Sequence, residues 1–227
     1  MLNKFSRTLL KSTAVALVFG TAAMSTPTLA QVEGNIAVTN HYVWRGMSQS
    51  DEQPSVSGGF DFSAGNFYAG TWAANVEFDD GDATTSDTGY ELDFYGGFAG
   101  ETEGGISYDV GYIYYMYPSY DDADFSEVYF SLGFMGASAT YYYLVDSDFG
   151  QDEGDANYLS LDYEFPSIGD YTFALHYGLY DIDGQEDDQI DYSLSVSKGD
   201  FTLSLLDTDD IAGEEDMDVV LSYGISF

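Results

Sequence analysis

Cysteine is absent from the 227 residues, which excludes disulfide staples and thiolate metal sites. Basic residues are scarce. Lys4, Arg7 and Lys11 stand near the N-terminus, leaving Arg45 and Lys198 to face 40 acidic side chains. So little positive charge excludes nucleic acid as a partner, because phosphates demand a cationic surface. It also disfavours docking on anionic headgroups unless metal ions bridge the two. No run approaches the roughly 18 apolar residues of a membrane-crossing helix. Acidity with few aromatics would signal disorder, but aromatics make up 17% of this chain and include 21 tyrosines. The acidity therefore belongs to a folded body.

The basic start leads into an apolar stretch from Ala14 to Met24 and then small residues at Thr28 and Ala30. That order marks a secretory signal peptide over residues 1–30, with cleavage after Ala30. Its apolar part is too short to remain as a helical anchor. Residues 31–227 are then expected to form one domain.

Beyond Ala30 the dominant pattern is alternation. Met217, Val219, Leu221, Tyr223, Ile225 and Phe227 share one face, while Asp218, Val220, Ser222, Gly224 and Ser226 share the other. A period of two marks a strand with one apolar face. The same reading predicts twelve strands, at 35–46, 54–62, 67–78, 89–99, 105–117, 125–134, 137–145, 158–165, 171–180, 189–197, 201–207 and 216–227. Many approach or exceed the 9–11 residues or so that a tilted strand needs to cross a bilayer. Soluble sheets average about five or six.

Connections alternate as well. Ser63 to Asn66, Gly100 to Gly104, Met135-Gly136, Pro166 to Asp170 and Lys198 to Asp200 are short. Those at Met47 to Gln53, Asp79 to Thr88, Pro118 to Asp124, Asp146 to Asn157, Asp181 to Asp188 and Thr208 to Glu215 are mostly longer and acidic. Short periplasmic turns, longer outer loops and an even strand number characterise outer-membrane barrels. The fold expected is all-β: a transmembrane antiparallel up-and-down barrel in the outer membrane of a Gram-negative cell, reached through Sec export. Phe227, ending the closing strand, is the expected handle for barrel-assembly machinery. A soluble secreted β-sandwich also alternates, but explains neither the turn rhythm nor the terminal phenylalanine.

The predicted outward face lacks formal charge, as the bilayer midplane requires. Tyr42, Trp44, Phe78 and Tyr90 near the outer strand ends, and Tyr68, Phe98, Phe165, Tyr171 and Phe227 near the inner ends, form expected aromatic girdles. The inward face carries Glu77, Glu91, Asp93, Glu127, Asp191 and Asp218 toward the outer mouth. Together with His41 and Arg45 at that level, these acids make the predicted pore lining. Arg45 either sets selectivity or neutralises buried acids, the latter favoured because unpaired buried charge is costly. Asp218 is its expected partner, since closure brings the first and last strands together. Inward Tyr95, Tyr115, Tyr117, Tyr129, Tyr142, Tyr158 and Tyr180 should narrow the lumen, and twelve strands fall short of the 16–18 or so of open porins.

The segment from Asn40 through His41, Tyr42, Val43, Trp44, Arg45, Gly46, Met47, Ser48 and Gln49 to Ser50, followed by Pro54 and Gly58-Gly59-Phe60-Asp61, resembles the opening of the TorF-type porins of proteobacterial outer membranes. The resemblance covers about thirty residues. It implies a porin-like barrel and brings no substrate and no catalytic residue.

Enzyme chemistry finds little footing. Only His41 and His176 could act as a base for a serine nucleophile, and neither a Gly-x-Ser-x-Gly nor a His-Glu-x-x-His motif occurs. The chain is read as a non-enzyme. Asp146, Asp148 and Asp152 in one loop, and Asp181, Asp183 and Asp187 in another, offer oxygen ligands to calcium or magnesium, although Gly150 and Gln185 break the EF-hand pattern. The function expected is a narrow passive channel for cations or small polar solutes, with an acidic mouth that concentrates cations. The competing reading is a closed structural or adhesive barrel whose loops bind divalent cations and bridge lipopolysaccharide.

Overall fold

The computed structural model describes residues 30–78, 88–185, 187–211 and 217–227. The predicted signal peptide, apart from Ala30, lies outside these residues, as does most of the Asp79–Thr88 connection. Among these residues fourteen strands follow in chain order. They are β1 (Gln31–Thr39), β2 (Val43–Trp44), β3 (Met47–Ser48), β4 (Ser55–Ala64), β5 (Phe67–Glu77), β6 (Thr88–Glu101) and β7 (Ser107–Met116). Then come β8 (Phe125–Phe134), β9 (Ala137–Ser147), β10 (Ala156–Glu164), β11 (Thr172–Ile182), β12 (Gln189–Lys198), β13 (Phe201–Asp209) and β14 (Asp218–Ser226). No helix occurs among the described residues.

Twelve strands, β1 and β4 through β14, close into a barrel in which every neighbour is antiparallel. Closure leaves no edge strand unpaired. The seam joins β1 to β14, from Asn35 opposite Ser226 to Thr39 opposite Ser222. Phe227 extends it: its N–H donates to Gly34 O and the Gly34 N–H donates back, both at 2.9 Å. A Cβ at Gly34 would lie 2.7 Å from the Phe227 ring, so glycine gives that ring its place against the seam. Met135 and Gly136 both take positive φ, at 53° and 87°, the handedness that a two-residue hairpin needs.

Alternation places apolar residues outside. Ile36, Val56, Phe60, Phe94, Phe98, Val110, Phe130, Leu161, Leu194, Leu203 and Leu221 all lie exposed on the outer wall. The buried cluster, by contrast, lies inside the barrel and is mostly tyrosine. The interior is therefore a packed core in its upper part, at the end away from the termini.

Two predicted strands differ. The segment predicted at 35–46 stays in the wall only through Thr39; the next residues turn into the lumen. Tyr42 and Trp44 are consequently interior residues and not girdle residues, with Tyr42 at 9% exposure. In β5 the faces are inverted. Trp72 lies opposite Asp93 and Ala74 opposite Glu91, so Tyr68, Trp72 and Val76 point inward while Phe67, Ala69 and Thr71 point out. The prediction placed the larger side chains outside, yet a filled lumen accepts them and the outer wall tolerates alanine and threonine. Glu77 follows the inversion: it shares the face of Asn75 and Tyr90, not that of the pore-lining acids. Asp207 also lies on the outer face, opposite Tyr192, at the upper rim.

Candidate functional site

The distinctive element is the segment between β1 and β4. Its departure from the wall is marked by Asn40. The Asn40 N–H still donates to Leu221 O at 3.2 Å, while its side-chain amide accepts from the Leu221 N–H at 2.6 Å and donates to Val219 O at 3.1 Å. The side chain thus replaces the strand neighbour that the turning backbone withdraws. Within the lumen, Val43 pairs with Ser48 and Trp44 with Met47. Arg45 and Gly46 form the tip with φ of 49° and 79°, a two-residue turn of the type that demands positive φ at both positions. A Cβ on Gly46 would lie 2.6 Å from Ile211 Cδ1 and 2.9 Å from Asp191 Cβ. The tip is seated against the wall. The Gln49 N–H donates to Tyr42 O at 2.8 Å and the Glu77 N–H to Gln49 O at 2.9 Å, closing the base of the hairpin and tying it to β5.

Arg45 is delivered by this tip into the barrel. Its two terminal nitrogens donate to the two oxygens of Glu127 at 2.8 and 2.7 Å, the bidentate match of guanidinium and carboxylate. Side-chain exposures of 3% and 1% show that both partners are out of water. Burial works against the charge on Arg45, but Glu127 overrides it and holds the guanidinium above its ordinary range. The guanidinium carbon lies 4.2 Å from the Trp44 ring centre, 4.4 Å from Tyr158, 4.7 Å from Tyr142 and 5.2 Å from Tyr180, all within cation–π range. Trp44 is itself held edge-on by Tyr115, Phe125 and Tyr180. The predicted pairing of Arg45 with Asp218 is therefore corrected: the barrel wall opposite the seam supplies the partner, because the hairpin carries Arg45 across the lumen.

Asp218 instead meets the base of the hairpin. His41 Nδ1 lies 3.2 Å from Asp218 Oδ1, and His41 Nε2 lies 2.8 Å from Ser48 Oγ. The order Asp–His–Ser is that of a hydrolase relay. Ser48 Oγ, however, also accepts the Glu52 N–H at 3.4 Å, and the serine stands within the hairpin's own pairing. The array links the two hairpin strands to β14.

A second buried group lies beneath Tyr42. The Tyr42 hydroxyl donates to Glu91 at 2.9 Å and that of Tyr117 donates to the other oxygen at 3.1 Å. Burial, reinforced by Glu91, pushes the Tyr42 phenol up from its usual range. Asp93, two residues along β6, is fully buried and neither carboxylate oxygen has a hydrogen-bond partner. Farther round the wall, His176 lies between Asp162 at 2.7 Å and Asp191 at 2.8 Å, and the Tyr158 hydroxyl donates to Asp191 at 3.0 Å.

Toward the chain termini the lumen becomes polar and more open. Asp61, Asp109, Asp162 and Glu164 are half-buried there. A cleft of about 240 Å³ opens at this end between Glu33, Asp61, Ser63 and Ser226.

Of the eight residues predicted to line a pore, Arg45 and His41 lie on the inserted hairpin. Glu91, Asp93, Glu127 and Asp191 point inward from the wall and are buried, Asp218 joins His41, and Glu77 shares the outer face. The loop aspartates Asp146, Asp148, Asp152, Asp181, Asp183 and Asp187 are exposed. Among the described residues no three acidic or histidine side chains gather closely enough to hold a metal ion. Sequence reasoning missed the hairpin itself, whose only local signal is Arg45-Gly46 between paired aromatic and apolar residues.

Among solved structures, the chain is similar to a KdgM porin, with a TM-score of 0.53 at 7% identity over 88% of this chain and 98% of that one. A second solved chain, from work on in-meso crystallization of membrane proteins, aligns with a TM-score of 0.47 at 10% identity over 86% of this chain and 83% of the other. The first likeness concerns the fold. No curated protein matches the sequence significantly. The TorF-type resemblance rests on the opening residues alone, whereas a family description spans residues 22–215: the chain belongs to the family described as "Bacterial protein of unknown function (Gcw_chp)".

Proposed function

We propose that the protein is an outer-membrane porin-like barrel that passes small cations or small polar solutes through a narrow lumen, with the inserted hairpin as its gate. The observation that carries this reading is that a loop segment enters the upper lumen and packs against the wall tyrosines that narrow it. Half-buried carboxylates continue below it to an open cleft. An apolar exterior on a closed barrel suits a lipid surround, and a lumen lined by carboxylates favours cations over anions. The acidic outer loops raise local cation concentration at the mouth. The reaction is passage, not catalysis.

Purified protein in planar bilayers should give small, cation-preferring currents that fall when Glu91 and Asp93 become amides. A variant joining Asn40 to Ser50 by a short Gly-Ser link should conduct more. If that variant folds, as judged by heat-modifiable migration, and passes no ions, the channel reading fails. The packing of the upper lumen also suits a second reading, a closed structural barrel whose acidic loops gather calcium or magnesium and bridge lipopolysaccharide. Calcium would then stabilise the barrel or aggregate cells without any current.

A further inference from the structure

Four carboxylates are almost completely buried in the upper lumen: Glu91, Asp93, Glu127 and Asp191. Glu127 is matched by Arg45, and Asp191 by His176 and Tyr158. Glu91 and Asp93 remain, with no basic side chain among the described residues bonded to either. Glu91 receives the Tyr42 and Tyr117 hydroxyls. Asp93 receives nothing at either oxygen and is 0% exposed. Residues two apart on a strand share a face at a spacing of about 7 Å, so both carboxyls enter the same buried part of the lumen beneath Tyr42. Ionised carboxylates only accept, so two of them in one dry interior require something positive between them.

We propose that Glu91 and Asp93 form a binding site for one monovalent cation of the sodium or potassium class. The donor set is wholly oxygen: two carboxylates and the lone pairs of the Tyr42 and Tyr117 hydroxyls. Oxygen ligands select hard cations. Calcium takes about 6–8 oxygens and magnesium usually keeps several waters, and the packed rings of Tyr42, Tyr117, Trp72 and Tyr115 leave the site too few oxygens for either. Trp72 and Tyr115 lie directly across from Asp93 on the neighbouring strands. Their rings add faces that suit a partly dehydrated monovalent ion.

The site also has a position of consequence. Glu91 is the anchor for Tyr42, so the bound ion neutralises the patch of wall on which the base of the hairpin rests. Ion occupancy and hairpin seating are thereby coupled. The site requires no current through the barrel, and its test is independent of conduction.

The folded barrel in detergent, at fixed pH, with EDTA and at constant ionic strength, should be melted in N-methylglucamine chloride progressively replaced by sodium or potassium chloride. The wild type should show a saturable rise of a few degrees, as expected of a ligand that binds only the folded state. Asp93→Asn should abolish the cation dependence, whereas Asp218→Asn should retain it. Crystals soaked in thallium(I) should show one anomalous peak between the two carboxyls, a readout that needs no variant to fold. Identical melting in N-methylglucamine and in both alkali salts, with no thallium peak, would overturn the proposal and leave a shared proton as the occupant.

Discussion

Replacing Glu127 with glutamine keeps the side chain's shape and removes its charge, which isolates the ion pair that fixes the hairpin tip. Breaking a buried pair by removing one partner costs about 3–5 kcal/mol, because the other charge stays buried and uncompensated. Glutamine still offers one oxygen to a guanidinium that lost two charged acceptors, which places the expected loss near the lower end, roughly 3 kcal/mol. The four aromatic faces around Arg45 persist, each contributing about 0.5–2 kcal/mol in a dry site, so the hairpin loosens without being expelled wholesale. For a barrel of this length each kcal/mol lowers the midpoint by ~2–4 °C, giving an expected fall of roughly 6–12 °C. In planar bilayers the same variant should open more often than the wild type. The double replacement Arg45→Met with Glu127→Leu should return most of the stability, since matched apolar residues often substitute for a buried pair at little cost. A Glu127→Gln barrel that melts with the wild type and conducts no differently would refute the view that this pair latches a gate.

Four further outcomes follow from the same geometry. Gly46→Ala should cost about 1–2 kcal/mol from its positive φ alone and more from the contacts with Ile211 and Asp191, read as a lower melting temperature. His41→Ala should raise channel open probability by freeing the hairpin base from Asp218. Ser48→Ala should leave a purified barrel as inert toward p-nitrophenyl esters as the wild type, and loss of a measurable esterase rate on that change would instead make Ser48 a nucleophile. Phe227→Ala should slow folding into vesicles supplied with the assembly machinery, measured by heat-modifiable migration, because Phe227 extends the closing seam through paired bonds to Gly34.

Strand number and most of the facing were legible because alternation reports a physical asymmetry, apolar outside and polar or glycine inside. From β6 through β8 and again from β10 through β14 the two faces differ enough for every exposed apolar side chain to be assigned. The signal fails where the lumen is as apolar as the wall. In β5, Tyr68, Trp72 and Val76 alternate with Ala69, Thr71 and Ala73. Size alone suggests the wrong face, since the inserted Tyr42 stacks edge-on against Trp72 at 5.6 Å. In β9, Tyr142 and Leu144 face inward toward Tyr129 and Glu127, where a register shift between Ser126 and Glu127 skips Val145. A bulge of this kind offsets the alternation without altering composition.

The hairpin was hidden for a related reason. A strand that leaves the wall and continues as half of an inward hairpin keeps its period of two, so 35–46 reads as one uninterrupted strand. What distinguishes the two parts is not hydrophobicity but hydrogen-bond supply. Asn40 can satisfy both an N–H and a C=O of β14 with its side-chain amide, which lets the backbone depart without orphaning its neighbour, and Arg45-Gly46 can adopt the handedness of a tight turn. The scarcity of basic residues carries the remaining information. With only one arginine after Ala30 and many inward acids, the sequence requires Arg45 to reach a carboxylate, yet it cannot say which, because the choice depends on how far the hairpin crosses the lumen. Once Arg45 is given to Glu127 and His176 to Asp162 and Asp191, no basic side chain among the described residues pairs with Glu91 or Asp93. The same poverty of positive charge that singles out Arg45 therefore leaves Glu91 and Asp93 as the pair on which the proposed cation site rests.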